Sequence, residues 1–293
     1  MLAMAKPKGK AERWWSKLAA KLQVHRTSTA ATATMVVFFG LWYWMWSEVR
    51  GQVLSGPDYT ITAESIEITP PPSWIRTDIR GEVFRAVQLG RALRLLDDDL
   101  TERLAGAFAL HPWVRAVRRV EKRHPARVIV DLEYRRPVLM VETPAGLLPV
   151  DQEGVLLPGG DFTAAEQQRL PRLAAIETQP LGAMGERWGD PRVFGGAQIA
   201  AALSDHWADW GLDHIVSSVR PLSSSPEDYV YQLVARDGRR IYWGRSPSTT
   251  DPSELPASEK IARLDAFFAR PQPAAPSNDQ RLWDVRSLPA QRP

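Results

Sequence analysis

Hydrophobic and polar positions follow three different rhythms along this chain of 293 residues. The first is an unbroken one. Ser28 to Trp46 (STAATATMVVFFGLWYWMW) runs for nineteen residues without a charge, and for twenty-one when Thr27 and Ser47 are included. A helix of that length crosses roughly 30 Å of hydrocarbon, so residues 27–47 are expected to form a transmembrane helix. Trp42, Tyr43, Trp44 and Trp46 near its end form an aromatic cluster of the kind that sits at headgroup level as an interfacial anchor. Residues 1–26 carry seven basic side chains against the single acid Glu12, which predicts a cytoplasmic N-terminus and delivery of the rest to the extracytoplasmic side. The following SEVRGQVLSG lacks a small-x-small cleavage site, so an uncleaved anchor is expected over a signal peptide or a buried core helix.

The second rhythm is the helical one. Within residues 1–26, Trp14, Trp15, Leu18 and Leu22 stand beside Lys17 and Lys21. This reads as a basic amphipathic helix on the membrane face, or equally as a disordered positive tail. After a linker at 48–63, Ile79, Val83, Phe84 and Val87 recur at helical spacing behind Thr77 as N-cap. Leu100, Leu104, Ala107 and Phe108 form a second stripe, opened by Asp99 and Glu102 as a capping-box-like pair and closed at His111-Pro112. Helices are also expected at Val193–Trp207 and Ser258–Phe268.

The third rhythm is alternation. SIEIT (65–69) stops at Pro70, and WVRAVRRV (113–120) slips phase near Arg118-Arg119. RVIVDLE (127–133) alternates Val128, Val130 and Leu132 against polar neighbours. Ile215–Leu222 and Tyr229–Ala235 are strand-like, and Asp237-Gly238 turns into Arg239–Gly244. The order β-α-α-β-β over 64–142 is a compact α+β unit. A mixed β-rich domain with flanking helices follows at 143–270, then a Pro-rich segment with a last strand at 271–293.

Composition changes this picture in two places. The net charge of +3 conceals a division: the seven basic residues and one acid of the tail leave 30 basic against 33 acidic residues beyond it. The basic tail suits anionic lipid, and nothing in the remainder calls for nucleic acid. The absence of cysteine excludes disulfides, thiolate metal sites and cysteine nucleophiles.

No catalytic, cofactor-binding or metal residues are assigned. His206 and His214 lack the i,i+4 spacing of a helical zinc site and read, with Asp205, Asp209 and Asp213, as a solvated face. Gly159-Gly160-Asp161-Phe162 reads as a loop, Ser223–Ser225 lack a nucleophile elbow, and Gly195-Gly196 is no phosphate loop. The basic run Arg115, Arg118, Arg119, Lys122, Arg123 and Arg127 is expected to be a solvated hairpin balanced by Glu121, Asp131 and Glu133.

Pro112-Trp113-Val114, Pro125–Leu132, Tyr134-Arg135-Arg136-Pro137-Val138 and Val150-Asp151-Gln152-Glu153-Gly154 follow one another in an order that resembles the bacterial division proteins FtsQ/DivIB. Tyr134 fills that family's glutamate slot, with Glu133 one place earlier. The resemblance implies a POTRA domain followed by a β domain in a non-enzymatic bitopic protein. It also implies FtsB-like and FtsL-like partners, and more remotely other divisome proteins, gripped by strand addition during septum formation. The family's partner-facing last strand maps to Trp283, Asp284, Val285 and Arg286, with Ser287 where an aromatic is usual. It further implies an inner-membrane location at the septum. A POTRA-bearing assembly or transport factor and an anchored cell-wall enzyme are the alternatives.

Overall fold

The computed structural model describes residues 30–50, 57–88, 93–269 and 283–286. These form six helices and two sheets in a mixed α+β arrangement. The chain divides into two units, residues 1–60 with 124–126, and residues 61–123 with 127–293.

In the first unit, residues 30–50 form helix α1, exposed throughout. A 3-10 turn covers Pro57–Tyr59, the Ala126 N–H donates to Asp58 O at 2.9 Å, and the rings of Tyr59 and His124 lie 5.7 Å apart. The expected membrane span is not upheld, and with it falls the single-pass inner-membrane location. No helix among the described residues is long and apolar enough to cross a membrane. The reason lies in the composition of α1. Its continuous strongly apolar stretch is short, Met35–Phe39 with Leu41, while Thr32, Thr34 and Ser47 dilute the ends, Gly40 interrupts the middle, and Glu48 and Arg50 charge the last turn. The aromatic rings at 42–44 and 46 are amphipathic rather than hydrocarbon-like. The hydroxyls of Thr34 and Ser47 donate back to Ala30 O and Trp44 O, at 2.9 and 2.7 Å.

The second unit opens with the expected order: β1 (Ile66–Ile68), α2 (Ile79–Gln88), α3 (Leu100–Ala109), β2 (Val114–Arg123) and β3 (Arg127–Tyr134). The sheet order is β1-β3-β2, with β1 parallel and β2 antiparallel to β3. Ile66, Val128 and Val130 of the sheet and Ile79, Val83, Leu104 and Phe108 of the helices are all buried, while Phe84, Val87 and Ala107 at the margins of the two stripes are half-buried. The phase slip in β2 is real: the register shifts between Val114 and Ala116 and again between Val117 and Arg119, the signature of bulges. Helix α3 begins where expected, but Asp99 is itself helical and makes no capping hydrogen bond. Thr77 precedes α2 by two residues, and its hydroxyl is drawn instead to the carboxylate of Asp161.

Seven strands make the second sheet, in the order β10-β9-β8-β7-β6-β4-β5. They are β4 (Pro137–Thr143), β5 (Gly146–Asp151), β6 (Arg172–Ala174), β7 (Leu212–Ser217), β8 (Val230–Ala235), β9 (Arg240–Arg245) and β10 (Trp283–Asp284). Short helix α4 covers Ala164–Gln167, while α5 (Pro191–Ala202) and α6 (Ala257–Phe268) are longer. Helix α5 starts two residues earlier than its apolar spacing suggests, because Asp190 caps it through Arg192 N–H and Pro191 fills the first turn. Its buried Val193, Ala197 and Ala200 share one core cluster with Leu139, Leu173, Ile215 and Leu233. Gly196 comes so close to the sheet that a Cβ there would lie 3.1 Å from Leu173.

The motif Asp151–Gly154 acquires a physical explanation. Asp151 Oδ1 accepts the N–H groups of Glu153 and Val155, Arg135 grips Oδ2 at 2.6 Å, and Gly154 turns the chain at φ +70°.

Candidate interaction edge

The four residues assigned to partner binding lie at one end of the seven-stranded sheet. Strand β10 runs parallel to β9, Trp283 opposite Ile241 and Asp284 opposite Tyr242. Val285 then turns inward, fully buried, and its N–H donates to Tyr242 O at 3.1 Å. Arg286 forks onto its neighbour Asp284, at 3.1 and 2.9 Å, with its guanidinium 4.5 Å from the Tyr242 ring centre. This charge-assisted fork holds the Asp284 carboxyl below its usual range, against the opposing effect of burial. The structure therefore gathers Trp283, Asp284, Val285 and Arg286 into one terminal strand and the turn after it.

Helix α6 clamps that strand. Arg263 donates to Val285 O at 3.2 Å and to Arg286 O at 2.6 Å. Trp283 stacks on Phe267 with ring centres 4.2 Å apart and planes within 11°. Phe268, on the same helix, stacks on Trp210 at 5.3 Å, and Trp210 on His206 at 4.6 Å. His206 thus belongs to an aromatic stack beside α6, and His214 bonds instead to Asp213. Among the described residues no group of three or more His, Cys, Asp or Glu side chains is placed to hold a metal ion.

Beneath the strand lies a charge cluster that pattern reading passed over. Lys260 Nζ lies 2.5 Å from Glu254 Oε1, and both side chains are almost fully buried. Glu254 Oε1 also accepts the Arg245 N–H at 3.2 Å, and Oε2 lies 3.6 Å from Arg245 and 3.9 Å from Arg286. Lys260 is capped by the face of Trp243, 4.8 Å away. Burial pushes the Lys260 ammonium below its ordinary value although Glu254 pulls the other way. Gly244 makes the arrangement feasible: at φ +92°, a Cβ there would stand 2.2 Å from Glu254 Oε1. The available signal was Lys260 lying four residues before Leu264, on the buried stripe of its helix.

The other candidate residues lie elsewhere. Trp42, Tyr43, Trp44 and Trp46 are exposed on α1. The arginines of β2 are balanced as anticipated: Arg115 and Arg118 by Glu133, Arg119 by Asp131, and Arg123 by Glu121. Arg115 additionally reaches Glu153 at 2.5 Å. Asp161, read from sequence as part of a plain loop, is buried and accepts from Trp113 Nε1 at 2.7 Å and from the Thr77 hydroxyl at 2.9 Å. No protein-family model matches the chain, and no curated protein matches it.

Proposed function

We propose that this chain is a non-enzymatic scaffold that binds partner proteins by strand addition at the β10 end of its seven-stranded sheet. The observation that carries this reading is the position of β10. It is the last strand in the sheet order, two residues long beside a β9 of six, and it is locked from behind by α6 through Arg263 and Trp283. An edge of this kind presents main-chain N–H and C=O groups, and an incoming strand extends the ladder through them. A pre-ordered edge also lowers the entropy lost on binding.

The β-α-α-β-β order of residues 66–134 supports a POTRA-like module, and the motifs at 112–114 and 150–154 support kinship with the division proteins FtsQ/DivIB. On that reading the partners are FtsB-like and FtsL-like division proteins, and the role is to link components of the septum-building complex.

The test is capture of an FtsB-like partner by the full chain and by a chain lacking Leu282–Pro293. Loss of capture on deletion is expected. Capture that survives undiminished removes strand addition at this edge.

A further inference from the structure

Away from that edge, a cavity of about 630 Å³ lies between the start of α5 and the loops that flank β8 and β9. That volume falls within the range of small-molecule sites, about 300–1,000 Å³. Aromatic side chains form part of its wall: Trp188, Phe194, Tyr229 and Tyr231. Two hydroxyl-rich loops, 223–225 (SSS) and 246–250 (SPSTT), supply much of the remainder.

The lining charges are largely neutralised within the protein. Asp228 pairs with Arg245 at 2.5 Å, Asp251 with Arg245 at 3.1 Å, and Asp190 with Arg192 at 2.7 Å. Arg187 and Glu227, one of each sign, make no ion pair among the described residues. A neutral ligand that both donates and accepts hydrogen bonds meets that balance, whereas a strongly charged one does not.

The Tyr231 hydroxyl is fixed beside the cavity by donation toward Arg192 O at 3.2 Å and Pro191 O at 3.4 Å. Only a glycine at 195 allows this, since a Cβ there would lie 2.1 Å from that hydroxyl. Arg187 lies 6.0 Å from the ring centre of Phe194, and Arg192 lies 6.0 Å from that of Tyr229. A peptide backbone finds no ladder here, because β8 is paired on both sides, by β7 and β9.

We infer that this cavity binds a neutral polyhydroxylated ligand, a sugar of one or two rings. Its hydroxyl groups exchange hydrogen bonds with the carboxylates and loop hydroxyls, and its C–H face lies against the aromatic wall. The inference is independent of strand addition at β10.

The full chain is titrated with N,N′-diacetylchitobiose and with cellobiose by calorimetry and saturation-transfer NMR, with tri-alanine as the extended-peptide arm. At least one disaccharide is expected to bind saturably and tri-alanine is not; which sugar binds separates acetamido from plain hydroxyl recognition. Glu227→Gln and Thr250→Val, both at exposed positions, are expected to leave the thermal midpoint unchanged and to weaken the sugar by about tenfold, the value of one good hydrogen bond. The inference is overturned if neither sugar saturates, if tri-alanine binds as well as the sugar, or if both variants bind like the parent chain.

Discussion

His111 illustrates how much one side chain depends on where the fold places it. Its Nδ1 accepts the Trp113 N–H at 3.3 Å, which puts the proton of the neutral ring on Nε2, 3.4 Å from Glu82 Oε2. Burial pushes the imidazole below its ordinary value of 6.5, more strongly than Glu82 and Asp161 pull it up. The unfolded chain therefore takes up this proton first as the pH falls. Stability is expected to decline once the pH drops through 6.5, and this contribution levels off when His111 protonates in the folded state. Carboxylates held low, such as Asp190, lose their contribution only in more acid solution, as the pH falls from the ordinary 3.8 through their folded values. Thermal midpoints measured between neutrality and pH 5 should show the decline, and His111→Gln should flatten it. An unchanged slope in that variant would assign the decline to other groups.

At the scale of the element, the link between α6 and the sheet edge is ionic as well as apolar. Lys260 and Glu254 face each other out of water, where removing one partner strands the other. Glu254→Gln is expected to destabilise the chain by about 3–5 kcal/mol, the usual cost of breaking a buried pair. Adding Lys260→Met, which keeps the stem and removes the charge, should recover much of that loss. Urea unfolding of both singles and the double measures the coupling, and strictly additive losses would mean the pair does not act as a unit. Secondary structure of this region was legible in the sequence: α6 and the Asp237-Gly238 turn lie where pattern placed them, with Gly238 at φ +84°. The pair was not legible, since a lysine in a helix ordinarily reads as surface and only the partner strand shows it enclosed.

Across the second unit, two sheets are joined through a buried polar point. Asp161 follows β5, yet its carboxylate receives Trp113 from the β2 side and Thr77 from the segment before α2. Arg76 reinforces the joint by donating to Asp161 O at 2.7 Å and pairing with Glu166 at 2.8 Å. Asp161→Ala leaves the indole N–H of Trp113 without its acceptor in a dry site. It is expected to cost about 1–3 kcal/mol in chemical denaturation. If the joint couples the sheets, the midpoints reported by tryptophan emission and far-UV circular dichroism, coincident in the parent chain, should separate in the variant. Coincident, unshifted midpoints would show that Asp161 joins nothing.

Sequence by itself placed β1, α2, α3, β2, β3, β8, β9 and α6, because helical and strand periodicities are imposed by the backbone and repeat within a few residues. It ran α5 on to Trp207 where the helix ends at Ala202, and set β7 at Ile215–Leu222 where the strand is Leu212–Ser217. It also located the bulged phase of β2. Tertiary structure alone decided the sheet order, with β6 inserted between β4 and β7, because strand neighbours are chosen by packing between residues far apart in the chain. It likewise decided that Asp161 and Lys260 are buried while the aromatic end of α1 is exposed. Burial belongs to the surroundings a residue finally meets, and the side chain's own chemistry does not fix it.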